Sequence, residues 1–275
     1  GQAPTVPLIR LSCSLTMLVD SHCHLDRLDL AAHDGSLDAA LEAARQRGVG
    51  HFLCIGVSVD NAAEVKTLAE RYADVDCSVG VHPLDVQPGA APALDWLLQE
   101  LNHPRVVAIG ETGLDYFRTE ESQSAAQHVS FRAHIDIARE VGKPVIIHDR
   151  DAHKDVIETL ETYGAPETVV FHCFSGDAEM AKVCAQAGWY MSIPGVVTFK
   201  NAQQLRDAVL EIPDHLLLVE TDSPFLAPSP HRGAGNTPAQ IANIVRAMAI
   251  ERDQDLAELA TALSDNAERI FGSFA

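Results

Sequence analysis

The sequence predicts an α/β fold, a single (β/α)8 barrel of the TIM type, on three observations. Short apolar, β-branched runs recur eight times, amphipathic helical stretches separate them, and no Pro/Gly/Ser-rich linker interrupts the alternation. The runs lie at 17–21, 50–56, 77–81, 106–110, 144–148, 168–172, 189–193 and 216–221. They are apolar throughout rather than alternating, as strands buried on both faces of a parallel sheet are. Between them, Leu94, Leu97, Leu98 and Leu101 follow the i, i+3, i+4, i+7 spacing of one helix face, as do Ile241, Ile244, Val245 and Met248. Gly48, Gly142, Gly164 and Gly188 each close a helical pattern just ahead of a strand. An open doubly wound sheet is the alternative, and no GxGxxG follows the first run to support it.

The 275 residues are 47% hydrophobic and 21% charged, which excludes a disordered or fibrous chain. No apolar run is long enough to span a bilayer, so no membrane role is expected. Six cysteines without a CxxC pair read as free, mostly buried thiols of a reducing compartment, hence a cytoplasmic location. Residues 1–16, with Arg10 and a modest apolar stretch, read as an extension outside the fold rather than a secretory signal. The barrel domain is expected over 17–275. No obligate protein partner is evident.

Function is legible where the strands end. The first run closes on Asp20-Ser21-His22-Cys23-His24, and residues two apart on a strand point the same way, so both imidazoles share one space. The third run ends at His82, the fourth enters Glu111 and then Asp115-Tyr116, the fifth ends at His148, the sixth at His172 and the eighth at Asp222. In such a barrel this end carries the chemistry. Each residue alone has a plain structural explanation, and His33, His51, His103, His128, His134, His153 and His215 are read that way. Four histidines, a glutamate and an aspartate converging on one mouth are costly to bury unless a cation satisfies them. Imidazoles and carboxylates without thiolate suit a divalent ion such as Zn²⁺ or Mn²⁺. Six ligands exceed one tetrahedral ion and suit a pair, the usual arrangement for phosphate-ester hydrolysis.

The strings VDSHCHLD, GVHPLD, GETGLDYF, PVIIHDRDA, VFHCFSG and ETDSPFLAP, followed by HRGAGNTPA, resemble the TatD-type metal-dependent deoxyribonucleases within the amidohydrolase-like TIM barrels. The resemblance implies that His22 and His24 bind a first metal, that Glu111 bridges, and that His148 and His172 bind a second. It implies that Asp222 binds the first metal and positions or deprotonates the attacking water. Two divalent ions (Mg²⁺, Mn²⁺ or Zn²⁺) and 3′-to-5′ exonuclease action on DNA, mainly single strands or 3′ ends, follow from it. One departure is Thr237, where the family commonly has an acidic residue between Asn236 and Pro238.

Arg232, just after the eighth strand, suits two phosphate oxygens with its planar guanidinium. His82, Asp115 and Tyr116 are expected either to contact substrate or simply to pack. A net charge of −19 would repel DNA at long range, and two divalent ions offset only four charges. A small footprint of metals and Arg232, with Arg118 or Arg150, favours trimming of ends. Two alternatives stay open: an ester or amide hydrolase on the same centre, such as a D-aminoacyl-tRNA deacylase, and a metal-binding scaffold without turnover. The complete ligand set argues against the scaffold.

Overall fold

The computed structural model describes residues 17–117 and 119–272. The extension 1–16, Cys13 and Arg118 therefore lie outside the described residues. Eight parallel strands pair in chain order: β1 (Leu18–Cys23), β2 (Val49–Cys54), β3 (Val75–Val79), β4 (Val106–Asp115), β5 (Val145–Arg150), β6 (Val169–Phe171), β7 (Tyr190–Ile193) and β8 (Leu217–Val219). The ring is drawn together just beyond β8, where Asp222 N–H donates to His22 O and His24 N–H donates to Ser223 O. Buried Asp20 adds side-chain bonds across the same seam, accepting from Thr221 Oγ1 at 2.5 Å and Thr221 N at 3.0 Å.

Helices alternate with these strands: α1 (Leu37–Gln46), α2 (Ala62–Arg71), α3 (Leu94–Glu100), α4 (Glu121–Val141), α5 (His153–Thr159), α6 (Ala178–Ala187), α7 (Gln203–Leu210) and α8 (Ile241–Glu251). Their ends follow local chemistry. Ser36 and Asp177 accept from the first-turn amides of α1 and α6, Glu120 and Gln123 form a reciprocal box at the start of α4, and Gly142 and Gly188 close α4 and α6 in the left-handed conformation.

The strands are buried on both faces, and this makes two cores. Leu18, Phe52, Val75, Val145 and Leu217 pack outward against the helices. Val19, Leu53, Ala108, Ile146, Val170 and Leu218 fill the barrel. A further helix, α9 (Leu256–Phe271), adds Ala267 and Phe271 to that inner cluster at the amino-terminal ends of the strands, so the opposite mouth is left for polar residues.

One strand differs from its expected span. β4 continues five residues past Gly110, so Glu111 and Asp115 sit on a strand rather than in a loop. Glycine makes this possible: Gly110 and Gly113 have φ of 135° and 137°, and a Cβ on Gly110 would stand 2.5 Å from Ile146 O. A Cβ on Gly113 would collide with His148 O. β4 thus lies close against β5 and carries Glu111 to the side of His148.

Candidate metal centre

Glu111 is the hub. Its side chain is 3% exposed, and its two oxygens face different partners. Oε2 lies 3.3 Å from His22 Nε2, while Oε1 lies 2.9 Å from both His148 Nδ1 and His172 Nε2 and 3.4 Å from His82 Nε2. Asp222 Oδ1 stands 3.2 Å from His24 Nε2 and 3.5 Å from His22 Nε2. The rings of His22 and His172 stack at 3.7 Å. All six residues expected as ligands therefore meet at one mouth, brought there by β1, β4, β5 and the turns after β6 and β8.

Among the described residues, donor atoms within 4.8 Å of one another fall into three overlapping groups: His22, His24 and Glu111; His82, Glu111 and His148; and His22, His172, Glu220 and Asp222. The second group contains His82, a residue expected to contact substrate or simply to pack. Leu84 N–H donates to His82 Nδ1, and this leaves Nε2 for the Glu111 side.

The set fits divalent cations on its own chemistry. Neither ring nitrogen of His22, nor Nδ1 of His24, has a hydrogen-bond partner although all are buried. An orphaned buried polar atom costs about 1–3 kcal/mol, and a cation at His22 Nε2 removes that cost there. Burial, with the charge of His172, pushes His22 down to about 4, so its ring is a neutral donor. Burial alone would raise Glu111, yet His172, His82 and His22 overcome it and hold the carboxyl well below its usual range. Burial also opposes charge on His148 and His172, but Asp115 with Glu111, and Glu111 with Glu220, raise the two rings instead. Protons thus balance the carboxylates where a cation would.

Two carboxylates aim the imidazoles. Asp115 Oδ2 lies 2.8 Å from His148 Nε2, while its Oδ1 accepts from Phe117 N–H; Gln127 holds its backbone on both sides. Glu220, fully buried, accepts from His172 Nδ1 at 3.0 Å and from Cys173 N–H at 2.8 Å. Glu220 stands within the ETDSPFLAP string, where the family resemblance assigns it no role. Glu220 stands two residues before Asp222, but both lie beyond the end of β8, where strand alternation no longer fixes a side chain's direction. Cys173 and Asp222 both hold positive φ, 44° and 51°, where non-glycine backbone is strained.

Two expected substrate contacts are not part of the cluster. The Tyr116 hydroxyl is 2.5 Å from Asp155 Oδ2 and 2.6 Å from His128 Nε2, and burial beside Asp155 pushes it up to about 12, a neutral phenol. Arg232 lies over the Phe199 ring at 4.0 Å and, among the described residues, makes no ion pair with the cluster. Arg150 similarly covers Phe117 at 3.9 Å. Thr237 accepts from Ala239 N–H as the cap of a short helical turn, and Asn236 Nδ2 donates to Thr221 O and Phe225 O, tying the last motif to the β8 end. The five described cysteines are free, four buried and Cys173 half-buried.

Residues 19–272 match the family model described as TatD related DNase. The chain is 42% identical over 256 residues to the uncharacterized metal-dependent hydrolase YcfH of Escherichia coli K12, covering 92% of this chain and 95% of that one. It is 39% identical over 259 residues to the uncharacterized metal-dependent hydrolase TatD of Mycobacterium tuberculosis, covering 93% and 98%. Among solved structures, YjjV, a TatD homolog from Escherichia coli K12, superposes with a TM-score of 0.86 at 30% identity, covering 94% and 99%.

Proposed function

The chain belongs to the TatD family of metal-dependent hydrolases, and from that premise we propose that it cleaves phosphodiester bonds of DNA, as a 3′-to-5′ exonuclease preferring single strands. The observation that carries the proposal is the division of Glu111 between two imidazole sets, His22 on Oε2 and His148, His172 and His82 on Oε1. One carboxylate between two such sets offers two adjoining cation seats. In this reading His22, His24, Glu111 and Asp222 hold the first Mg²⁺, Mn²⁺ or Zn²⁺, and Glu111, His148 and His172 the second, with His82 beside them. When bound, the pair supplies Lewis-acid polarisation of the phosphoryl group and neutralises charge that builds on its oxygens.

The remaining work falls to the chain. Asp222 Oδ1 is engaged with His24 and His22, while Oδ2 makes no hydrogen bond among the described residues and can accept the proton of the attacking water. Glu220 keeps His172 in the tautomer with Nε2 toward Glu111, and Asp115 orients His148. The strained backbone at Asp222 holds its carboxylate at the mouth, and the Asp20–Thr221 bonds brace that strand end against β1.

The test is incubation of metal-loaded protein with 5′-labelled single-stranded DNA and, in parallel, with D-aminoacyl-tRNA. A ladder of fragments shortening from the 3′ end supports the proposal. Release of the D-amino acid with intact DNA would assign the centre to ester cleavage instead.

A further inference from the structure

Exposed apolar side chains collect at the polar mouth. Val59 after β2, Leu84 after β3, Phe117 after β4 and Phe225 after β8 all stand in turns on the side of the barrel that carries the metal centre. Exposed apolar groups beside a functional site mark a surface that a ligand covers. Two of the four are flat rings, and they stand across the barrel from each other, since β4 and β8 are four strands apart in a ring of eight. Arg150 already lies over the Phe117 ring at 3.9 Å. Phe225 is the more open of the two, with a relative exposure of 48%.

Phe225 is also firmly held. It closes the turn that begins at Asp222: its N–H donates to Asp222 O at 2.9 Å, and its carbonyl accepts from Nδ2 of buried Asn236. Its ring meets the His24 ring at 5.7 Å between centroids and 68° between planes, the one ring contact it makes among the described residues. A fixed aromatic plane therefore stands three residues from the proposed proton acceptor and against a proposed metal ligand, with nearly half its surface left to solvent.

We propose that Phe225 stacks against the base of the 3′-terminal nucleotide, so that the centre grips a strand end by a base plane rather than by a run of phosphates. The proposal rests on the DNA reading of the centre and adds the contact that recognises the end. The position follows from in-line displacement. As the water oxygen bonds to phosphorus, its proton passes to Asp222. The P–O3′ bond to the penultimate nucleotide breaks, and that 3′ oxygen takes a proton from solvent. Asp222 and Phe225 stand together on the attacking side, while the shortened strand departs on the opposite side. The nucleotide that stays with the phosphorus is the terminal one, and its base is the one Phe225 meets. Every base has a π-face, so such a platform accepts any terminal nucleotide, as stepwise trimming needs. Stacking releases no counterions, which suits a chain of net charge −19 that repels phosphates at long range.

Binding is measured apart from turnover, by fluorescence anisotropy of a 5′-labelled, phosphorothioate-linked single-stranded 8-mer on the full chain loaded with Mn²⁺. Three probes are compared: the intact strand, one with a base-free tetrahydrofuran unit at its 3′ end, and one with that unit in its interior. Phe225→Ala is expected to weaken the intact strand about 5- to 150-fold, with the slope of log K against log salt unchanged. Wild type should lose a comparable factor on the strand with the base-free end and little on the interior one. On the base-free end, wild type and Phe225→Ala should bind alike. Phe225→Tyr keeps the plane and should stay close to wild type. Calorimetric titration with Mn²⁺ separates a packing role: metal affinity should be unchanged in Phe225→Ala, and a parallel fall would overturn the proposal by making Phe225 a support for His24. Equal wild-type affinity for intact and base-free ends, or a loss in Phe225→Ala that persists on the base-free end, would overturn it and leave the nuclease reading standing. Failure of metal-loaded wild type to bind any of the strands would reject the DNA reading, and the stacking with it.

Discussion

Replacing Glu220 with Gln removes a charge from the centre without touching any residue assigned to a cation. The wild-type carboxylate is fully buried and receives two donors, His172 Nδ1–H on Oε2 and Cys173 N–H on Oε1. Glutamine has one oxygen for these two donors, and its amide group must face the other. One buried donor is left unsatisfied in either orientation, at a cost of about 1–3 kcal/mol in stability. If the amide faces Cys173, His172 keeps a partner but loses a charged one. If it faces the ring, the tautomer that directs Nε2 to Glu111 is no longer favoured. Loss of such an orienting carboxylate lowers metal affinity about 10- to 100-fold, or roughly 1.4–2.7 kcal/mol. Calorimetric titration with Mn²⁺ or Zn²⁺ reads the affinity, and thermal unfolding in a chelator reads the stability. The expected result is a weakened second binding event at unchanged stoichiometry. Affinity within twofold of wild type would refute the positioning role, and the loss of one bound ion would make Glu220 a ligand instead.

Metal content should fall in His22→Ala and His148→Ala by about one ion each and in Glu111→Ala by more, because one carboxylate serves both sets; full occupancy in Glu111→Ala, by elemental analysis, would remove the bridging role. Asp222→Asn should lower kcat far more than it raises KM, since the shape stays and the proton acceptor is lost; a kcat within a few-fold of wild type with a raised KM would reverse the assignment. Away from the centre, burial pushes His134 down to about 4, with its Nδ1–H on Ser130 O and Val81 N–H on its Nε2. The unfolded ring, near 6.5, takes up a proton before the folded one, so this contribution is complete above pH 6.5 and is lost as pH falls toward 4. About 2.5 units correspond to roughly 3 kcal/mol. Asp20, raised by burial to about 7, pulls the other way, so the comparison of wild type with His134→Gln by denaturant titration carries the test. The variant should lose less stability than wild type between pH 7 and 4.5, and parallel curves would contradict the assignment.

The barrel was legible because parallel strands buried on both faces leave continuous apolar runs, and all eight runs coincide with strands to within a few residues. The convergence of His22, His24, Glu111, His148, His172 and Asp222 was legible for a related reason: in this fold, strand ends are neighbours however far apart in sequence. What the sequence obscured depends on side-chain direction. Tyr116 follows Asp115 directly, and on a strand end the neighbour points the other way, here to Asp155 and His128. Arg232 stands in a turn, where no periodicity fixes its aim, and it settles on Phe199. The apolar run of β4 stops at Gly110, whereas the strand itself continues to Asp115, with Gly110 and Gly113 allowing it to lie close against β5. α9 carries amphipathic spacing but adds a helix beyond the eight expected strand–helix units, so the number of strands gave no reason to look for it.

Removal of nucleotides from the 3′ end of DNA is the activity proposed for the two imidazole sets around Glu111. It is tested most directly by following 5′-labelled single-stranded DNA over time with metal-loaded wild type and with Glu111→Gln. The expected result is a ladder that shortens from the 3′ end with wild type, depends on added Mg²⁺ or Mn²⁺, and is lost in the variant. Intact DNA with wild type under every metal, or an equal ladder from Glu111→Gln, would contradict it.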